Sequence, residues 1–178
     1  MIKWLISFLY KSIKYIERGE SEAKALQLSG KHVRCLGDIT FNTTKVGFGD
    51  NVVLYPGVKI CGNNIEIGSN TCIGDDTIIH SSKMIKIGND VSIAAGCYII
   101  DSNHGIKKDT LIRKQKSEVS ESGISIGNDV WLGTQTIVLK GANIGDGAVI
   151  GANSIVNSSI PANAIAFGCP AKVHSYRQ

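Results

Sequence analysis

The 178-residue chain contains four histidines, His32, His80, His104 and His174, and only His104 stands beside a long interruption of an otherwise regular pattern. It belongs to the run Asp101-Ser102-Asn103-His104-Gly105. An imidazole titrates near neutral pH, so in a loop it can take a proton from a poor nucleophile such as a hydroxyl. Asp101 and Asn103 lie within three residues of it and are candidates to hold the molecule that carries the hydroxyl. A lone loop histidine is otherwise an ordinary solvated side chain, and it is the placement of His104 that sets it apart. The following stretch is basic, with Lys107, Lys108, Arg113, Lys114 and Lys116 against Asp109. It reads either as a solvated loop or as a lip that attracts an anionic partner.

The pattern that His104 interrupts has a period of six. Ile126, Leu132, Val138, Ile144, Ile150 and Val156 follow at six-residue intervals, usually with Gly next in line. Four places after each stand Val130, Thr136, Ala142, Ala148, Ser154 and Ile160, mostly small. Ile, Leu and Val make up 47 of 178 residues, so six hits in a row arise by chance about three times in ten thousand for a chosen frame. The same beat runs earlier through Phe48, Leu54 and Ile60, slips by one residue to Ile67, Ile73 and Ile79, and slips by two to Ile87, Ile93 and Ile99. After Ile100 it is lost until about Ile124. An excursion of more than twenty residues in a short-turn fold is uncommon and is usually functional.

A six-residue period implies a three-sided prism of short strands, each side pointing one aliphatic inward. Phe48-Gly49-Asp50-Asn51, Ile67-Gly68-Ser69-Asn70, Ile87-Gly88-Asn89-Asp90 and Ile126-Gly127-Asn128-Asp129 then mark equivalent corners. Gly, Asn and Asp tolerate the backbone angles that such turns demand. Coils supply one another's backbone hydrogen bonds, so the end coils need caps. The expected class is all-β: a parallel β-helix domain over residues 31–178 with an extruded loop over 101–125, preceded by a helical segment over 1–30. In that segment Leu5, Leu9, Ile13 and Ile16 share a helical face, with Lys3, Lys11, Lys14 and Arg18 elsewhere. This amphipathic helix suits either a cap on the domain or peripheral contact with a membrane surface through residues 1–20.

At these residues the chain resembles the hexapeptide-repeat acyltransferases, whose prism is left-handed. The loop at Asp101–Gly105, followed some twenty residues later by Ile126-Gly127-Asn128-Asp129-Val130-Trp131-Leu132-Gly133, is similar to the catalytic loop of the maltose, galactoside and polysaccharide O-acetyltransferases. The resemblance implies an acetyl-CoA-dependent transfer to a sugar or glycan hydroxyl with His104 as general base and no catalytic metal. It further implies a homotrimer with sites between subunits. Trp131 and Thr134 then line the thiol end of the CoA arm, Ala152 the wall farther along, and Lys172, in Gly168-Cys169-Pro170-Ala171-Lys172-Val173, the nucleotide end. Where the family often has a lysine before its last Ile-Pro, this chain reads Asn157-Ser158-Ser159-Ile160-Pro161. Lys172 and Arg177 are the cations left to meet the CoA phosphates.

Several classes fall away. A net charge of +4 is too small to argue for nucleic acid, and no RNA-binding or zinc-finger motif is present. No P-loop or Rossmann fingerprint occurs. The γ-type carbonic anhydrases use the same scaffold with three histidines around zinc, but here no second histidine follows His104 nearby. Antibiotic (xenobiotic) acetyltransferases remain the alternative on the same chemistry, and a non-catalytic scaffold the alternative without it. Cys35, Cys61, Cys72, Cys97 and Cys169 form no CxxC pair, which points to buried thiols in a reducing cytoplasm, with the inner membrane surface as the variant location.

Overall fold

In the computed structural model the described residues are 30–43 and 45–178. The helix expected over residues 1–30 and its membrane contact lie outside them, apart from Gly30. No helix among the described residues is long and apolar enough to cross a membrane.

Short aliphatic strands separated by turn residues wind into a parallel β-solenoid with three faces. Face one stacks Arg34–Cys35, Val53–Leu54, Cys72–Ile73, Ser92–Ile93, Trp131–Leu132, Val149–Ile150 and Ala164–Gly168. Face two runs from Thr40–Thr43 to Ile155–Val156, and face three from Val46–Phe48 to Asn143–Ile144. Neighbouring coils pair in parallel, for instance Ile79 with Ile99 and Ile99 with Val138. The six aliphatics of the clearest repeat, Ile126 to Val156, are all buried, and so are the six mostly small residues that accompany them. The core is therefore a narrow column to which each face contributes an aliphatic and a second, mostly small residue per coil.

Corners explain the remaining sequence pattern. Between faces three and one, Asn51, Asn70, Asp90 and Asp129 have φ of 59°, 59°, 58° and 53°, the left-handed region that Asn and Asp tolerate best after Gly. Side chains beside them form a ladder. The Asp50 N–H donates to Ser69 Oγ (3.0 Å), Ser69 N–H to Asn89 Oδ1 (2.8 Å), Asn89 N–H to Asn128 Oδ1 (2.9 Å) and Asn128 N–H to Asp146 Oδ1 (2.7 Å). Each turn thereby satisfies an N–H that the coil would otherwise leave unpaired.

Every slip of the period falls on one corner, between faces two and three. The single extra residue lies near Asn63-Asn64, the pair near Ser82-Lys83, and the long excursion after Ile100. At the far end Ala171–Tyr176 folds back antiparallel on Ala164–Gly168 and covers the exposed edge of face one. Arg177 then reaches the previous corner, donating to Asp129 Oδ2 at 2.8 Å and to the Gly147 carbonyl at 3.0 Å. The C-terminal tail is thus a cap.

Two predictions follow from this packing. Ile99 is wholly buried between Ile79 and Val138, so Ile99→Ala lowers unfolding stability by about 2–5 kcal/mol, read by denaturant titration. None of the five cysteines is in a disulfide; Cys35 and Cys97 are buried, while Cys169 is exposed and departs from the expectation of buried thiols. Burial pushes the Cys97 thiol up, which keeps it protonated and inert. A thiol reagent at neutral pH should label Cys169 quickly in the native protein and Cys97 only on unfolding.

Candidate active site

The excursion begins with a carboxylate turned inward. Along Tyr98–Ile100 side chains alternate, with Ile99 in the core, and Asp101 continues inward with no exposed surface. Its Oδ1 accepts the Ser82 N–H at 2.7 Å. Its Oδ2 accepts the N–H groups of Lys83 and Met84 at 2.8 and 2.9 Å and the Ser81 hydroxyl at 3.1 Å. These donors lie on the widened corner of the preceding coil. The expectation that Asp101 contacts substrate is therefore corrected: both oxygens are committed inside the fold, and the residue holds the stem of the loop. The Ser82 hydroxyl adds a 2.9 Å bond to Ser102 Oγ.

Beyond this anchor, Ser102–Asn103 pairs antiparallel with Glu118–Val119, so the excursion leaves the coil as a two-stranded stem. Gln115 closes its outer part. Its Oε1 accepts the Lys107 N–H at 2.8 Å, and its Nε2 donates to the carbonyls of Lys107 and Thr110 at 2.9 and 2.6 Å. On the opposite side Lys140 Nζ meets Glu118 Oε2 at 3.4 Å, tying the stem to the following coil. The coil resumes at Ile124, which pairs with Ile85. The loop therefore ends at Gly123, two residues before the expected 125, because the Ile124 N–H already donates to the Met84 carbonyl.

His104 leaves this braced stem into solvent beside face two. It lines a cleft of about 590 Å³ together with Asn103, Ser102, Ser82, His80 and Glu118. Its imidazole makes no hydrogen bond or ion pair with another described residue, so both ring nitrogens are open to a ligand. His80 was not singled out from the sequence, yet it faces the same cleft from one coil earlier. The signal was there: His80 pairs with Ile100 across a coil of twenty residues, which puts it beside the loop stem. Among the described residues no group of three or more His, Cys, Asp or Glu side chains is placed to hold a metal ion.

The residues expected along the CoA arm form a strip elsewhere. Trp131 projects from face one with 55% of its surface exposed. Thr134 sits on the corner between faces one and two, its hydroxyl donating to the Ala95 carbonyl at 2.8 Å. Ala152 follows on the same corner one coil later and packs over Gly133. Lys172 is exposed on the C-terminal hairpin, opposite Phe167, which packs on Gly151. The Phe167 and His174 rings stack there, with centroids 3.7 Å apart and planes 5° from parallel, a flat surface not foreseen from the sequence. Arg177, expected as a second cation, is engaged with Asp129. Trp131, Thr134, Ala152 and Lys172 thus stand on successive strands and turns of the later coils. The strip does not include His104, which lies at the opposite end of face two.

Comparison with known proteins bears on the family and the fold. The family model for bacterial transferase hexapeptides (six repeats) matches residues 123–158. The chain is 35% identical over 141 residues to WbbJ of Escherichia coli, named for O-acetyl transfer in lipopolysaccharide biosynthesis, across 74% of this chain and 72% of that protein. The chain belongs to the hexapeptide-repeat acyltransferases. A second acyltransferase relative, a probable acetyltransferase of Mycobacterium tuberculosis, is 37% identical over 115 residues; the match covers 65% of this chain and only 38% of that longer protein. Among solved acyltransferases, AntD, an N-acyltransferase from Bacillus cereus crystallised with dTDP and 3-hydroxybutyryl-CoA, superposes with a TM-score of 0.80 at 19% identity, covering 89% of this chain and 88% of that one. The fold is the left-handed parallel β-helix that the resemblance implied.

The anchor makes a prediction of its own. Replacing Asp101 by Ala leaves three backbone N–H groups without their acceptor, which costs about 1–3 kcal/mol of unfolding free energy for each that stays out of water. Turnover should fall in the same variant because the stem under His104 loosens, and calorimetry with steady-state kinetics checks both.

Proposed function

We propose that this chain is an acetyl-CoA-dependent O-acetyltransferase acting on a sugar hydroxyl in surface polysaccharide biosynthesis, with His104 as general base in direct transfer. The observation that carries the reading is the placement of His104. It is an unpartnered imidazole, open to a cleft and fixed by a stem whose root is a buried, fully bonded carboxylate. WbbJ, named for O-acetyl transfer in lipopolysaccharide biosynthesis, supports the acceptor class. The CoA in the AntD crystal supports the donor class.

The chemistry needs few groups. The acceptor hydroxyl lies against His104, with Asn103 as a polar contact on the same stem. As its oxygen bonds to the thioester carbonyl carbon, His104 takes the hydroxyl proton. The oxyanion that develops is met by a backbone N–H at a corner. Collapse breaks the carbon–sulfur bond, and the imidazolium returns the proton to the departing thiolate. Trp131, Thr134, Ala152 and Lys172 hold the CoA arm along its strip. Because that strip and His104 lie at opposite ends of face two, one chain does not place donor against base. A second copy supplying the strip completes the site, which is the reading of a homotrimer with sites between subunits.

Replacing His104 by Ala should lower turnover by about a hundred- to ten-thousand-fold while acetyl-CoA still binds, measured by product formation and by equilibrium binding. Unchanged turnover would remove His104 from the mechanism. Sedimentation of the same protein tests the trimer.

A further inference from the structure

The corner that carries His104 continues toward the N-terminal coils as a second depression of about 480 Å³, and the two share Ser82. Its walls come from three successive coils. Lys45 belongs to the first, Asn63 and Asn64 to the second, and Ser82, Lys83 and Met84 to the third. With parallel strands about 4.8 Å apart, a groove from the first coil to the fourth runs about 14 Å, long enough to seat more than one sugar residue.

Two features of this groove call for a negative charge. Lys83 is pinned by its backbone, its N–H donating to Asp101 and its carbonyl accepting from Asn64 Nδ2 at 2.9 Å. Neither the Lys83 nor the Lys45 ammonium pairs with a carboxylate among the described residues. The wider charge distribution agrees. This corner, counted as Lys45, Lys83, the 101–123 loop and Lys140, carries eight basic and four acidic residues. The rest of the described chain carries six basic and eight acidic. Positive potential is therefore gathered along the edge where the base stands, which raises the local concentration of an anion there. The groove lysines also stand apart from the CoA strip along the axis, since Lys45 and Lys83 lie on early coils and Trp131, Ala152 and Lys172 on later ones.

We propose that this groove seats the anionic part of the acceptor, so that the enzyme acetylates a negatively charged glycan, with Lys83 and Lys45 meeting its charge while a hydroxyl one sugar farther along reaches His104. The inference rests on the acetyl-transfer reading above. Carboxylate and phosphate offer the same chemistry to two lysines, as acceptors of charge-assisted hydrogen bonds, and a panel of acceptors separates them.

The experiment uses the full chain with saturating acetyl-CoA and three acceptor oligosaccharides of equal length: neutral, carboxylate-bearing and phosphate-bearing. Wild type should favour one anionic acceptor over the neutral one by about tenfold or more in kcat/KM, the loss of one charge-assisted hydrogen bond, and the preference should shrink with salt. The double variant Lys45→Gln, Lys83→Gln should raise KM for that acceptor by a similar factor and leave KM for acetyl-CoA unchanged. Lys83→Arg should retain the preference. Equal rates on all three acceptors, or a preference that survives the double variant, overturn the groove assignment alone. Equilibrium binding of the same oligosaccharides, with wild type and double variant, judges the groove independently of turnover. Loss of affinity for the anionic sugar in the variant supports it, and indistinguishable affinities reject it. Absence of acetyl transfer to every acceptor instead overturns the acetyl-transfer reading, with the binding arm still deciding what the groove holds.

Discussion

The constraint beneath this structure is the width of its core. Each face contributes an inward aliphatic and a second buried residue per coil, as Val130 and Leu132 do, and those side chains stack on their counterparts above and below, so the prism is filled as soon as it forms. There is no interior in which to build a pocket. Along the faces, backbone N–H groups are donated from coil to adjacent coil, so the faces have little conformational slack either. Chemistry can be carried only on outward-pointing residues and on corners, and of the three corners only the one between faces two and three departs from the minimal turn.

That corner solves a physical difficulty. Extra residues in a turn bring extra N–H groups, and buried N–H groups without partners are destabilising. The widened turn of one coil meets this with the carboxylate of the next, as Asp101 collects the three N–H groups of Ser82, Lys83 and Met84. One residue thereby satisfies the insertion before it and roots the longer insertion after it. The position of His104 is a consequence of that bonding. Its orientation comes from the antiparallel stem and the Gln115 brace that are built on it.

Much of this could be read in the sequence because a period of six leaves few choices. Ile126 to Val156 had to be the inward column, and the Asn and Asp residues that follow the Ile-Gly pairs had to be corners. The same periodicity located the loop by its failure. What escaped was information that depends on parity and on register. Asp101 looked like a ligand because it is polar and near His104, but with Ile99 inward, alternation sends Asp101 inward too, as it sends Ser81 inward after Ile79. His80 looked remote at 24 residues from His104, although a coil of twenty makes the two neighbours. Arg177 looked available to a phosphate, and its partner Asp129, 48 residues away, could be found only from the fold. The stacked rings of Phe167 and His174 depend on a hairpin that lies outside the repeat altogether.

The ladder of side-chain oxygens on the opposite corner carries one more implication. Asn89 and Asn128 are 39 residues apart, yet they sit as close in the ladder as Asp50 and Ser69, which are 19 apart. The stack therefore closes over the excursion as though nothing had been inserted, and lengthening a loop adds little closure entropy. Beyond its root at Asp101, the loop sits on the scaffold like a cartridge slotted into a rack. A chain built this way can exchange the segment beyond Asp101 and its paired stem for one of different length and composition while its coils stay in register, and so change what it acts on without having to refold around a new core.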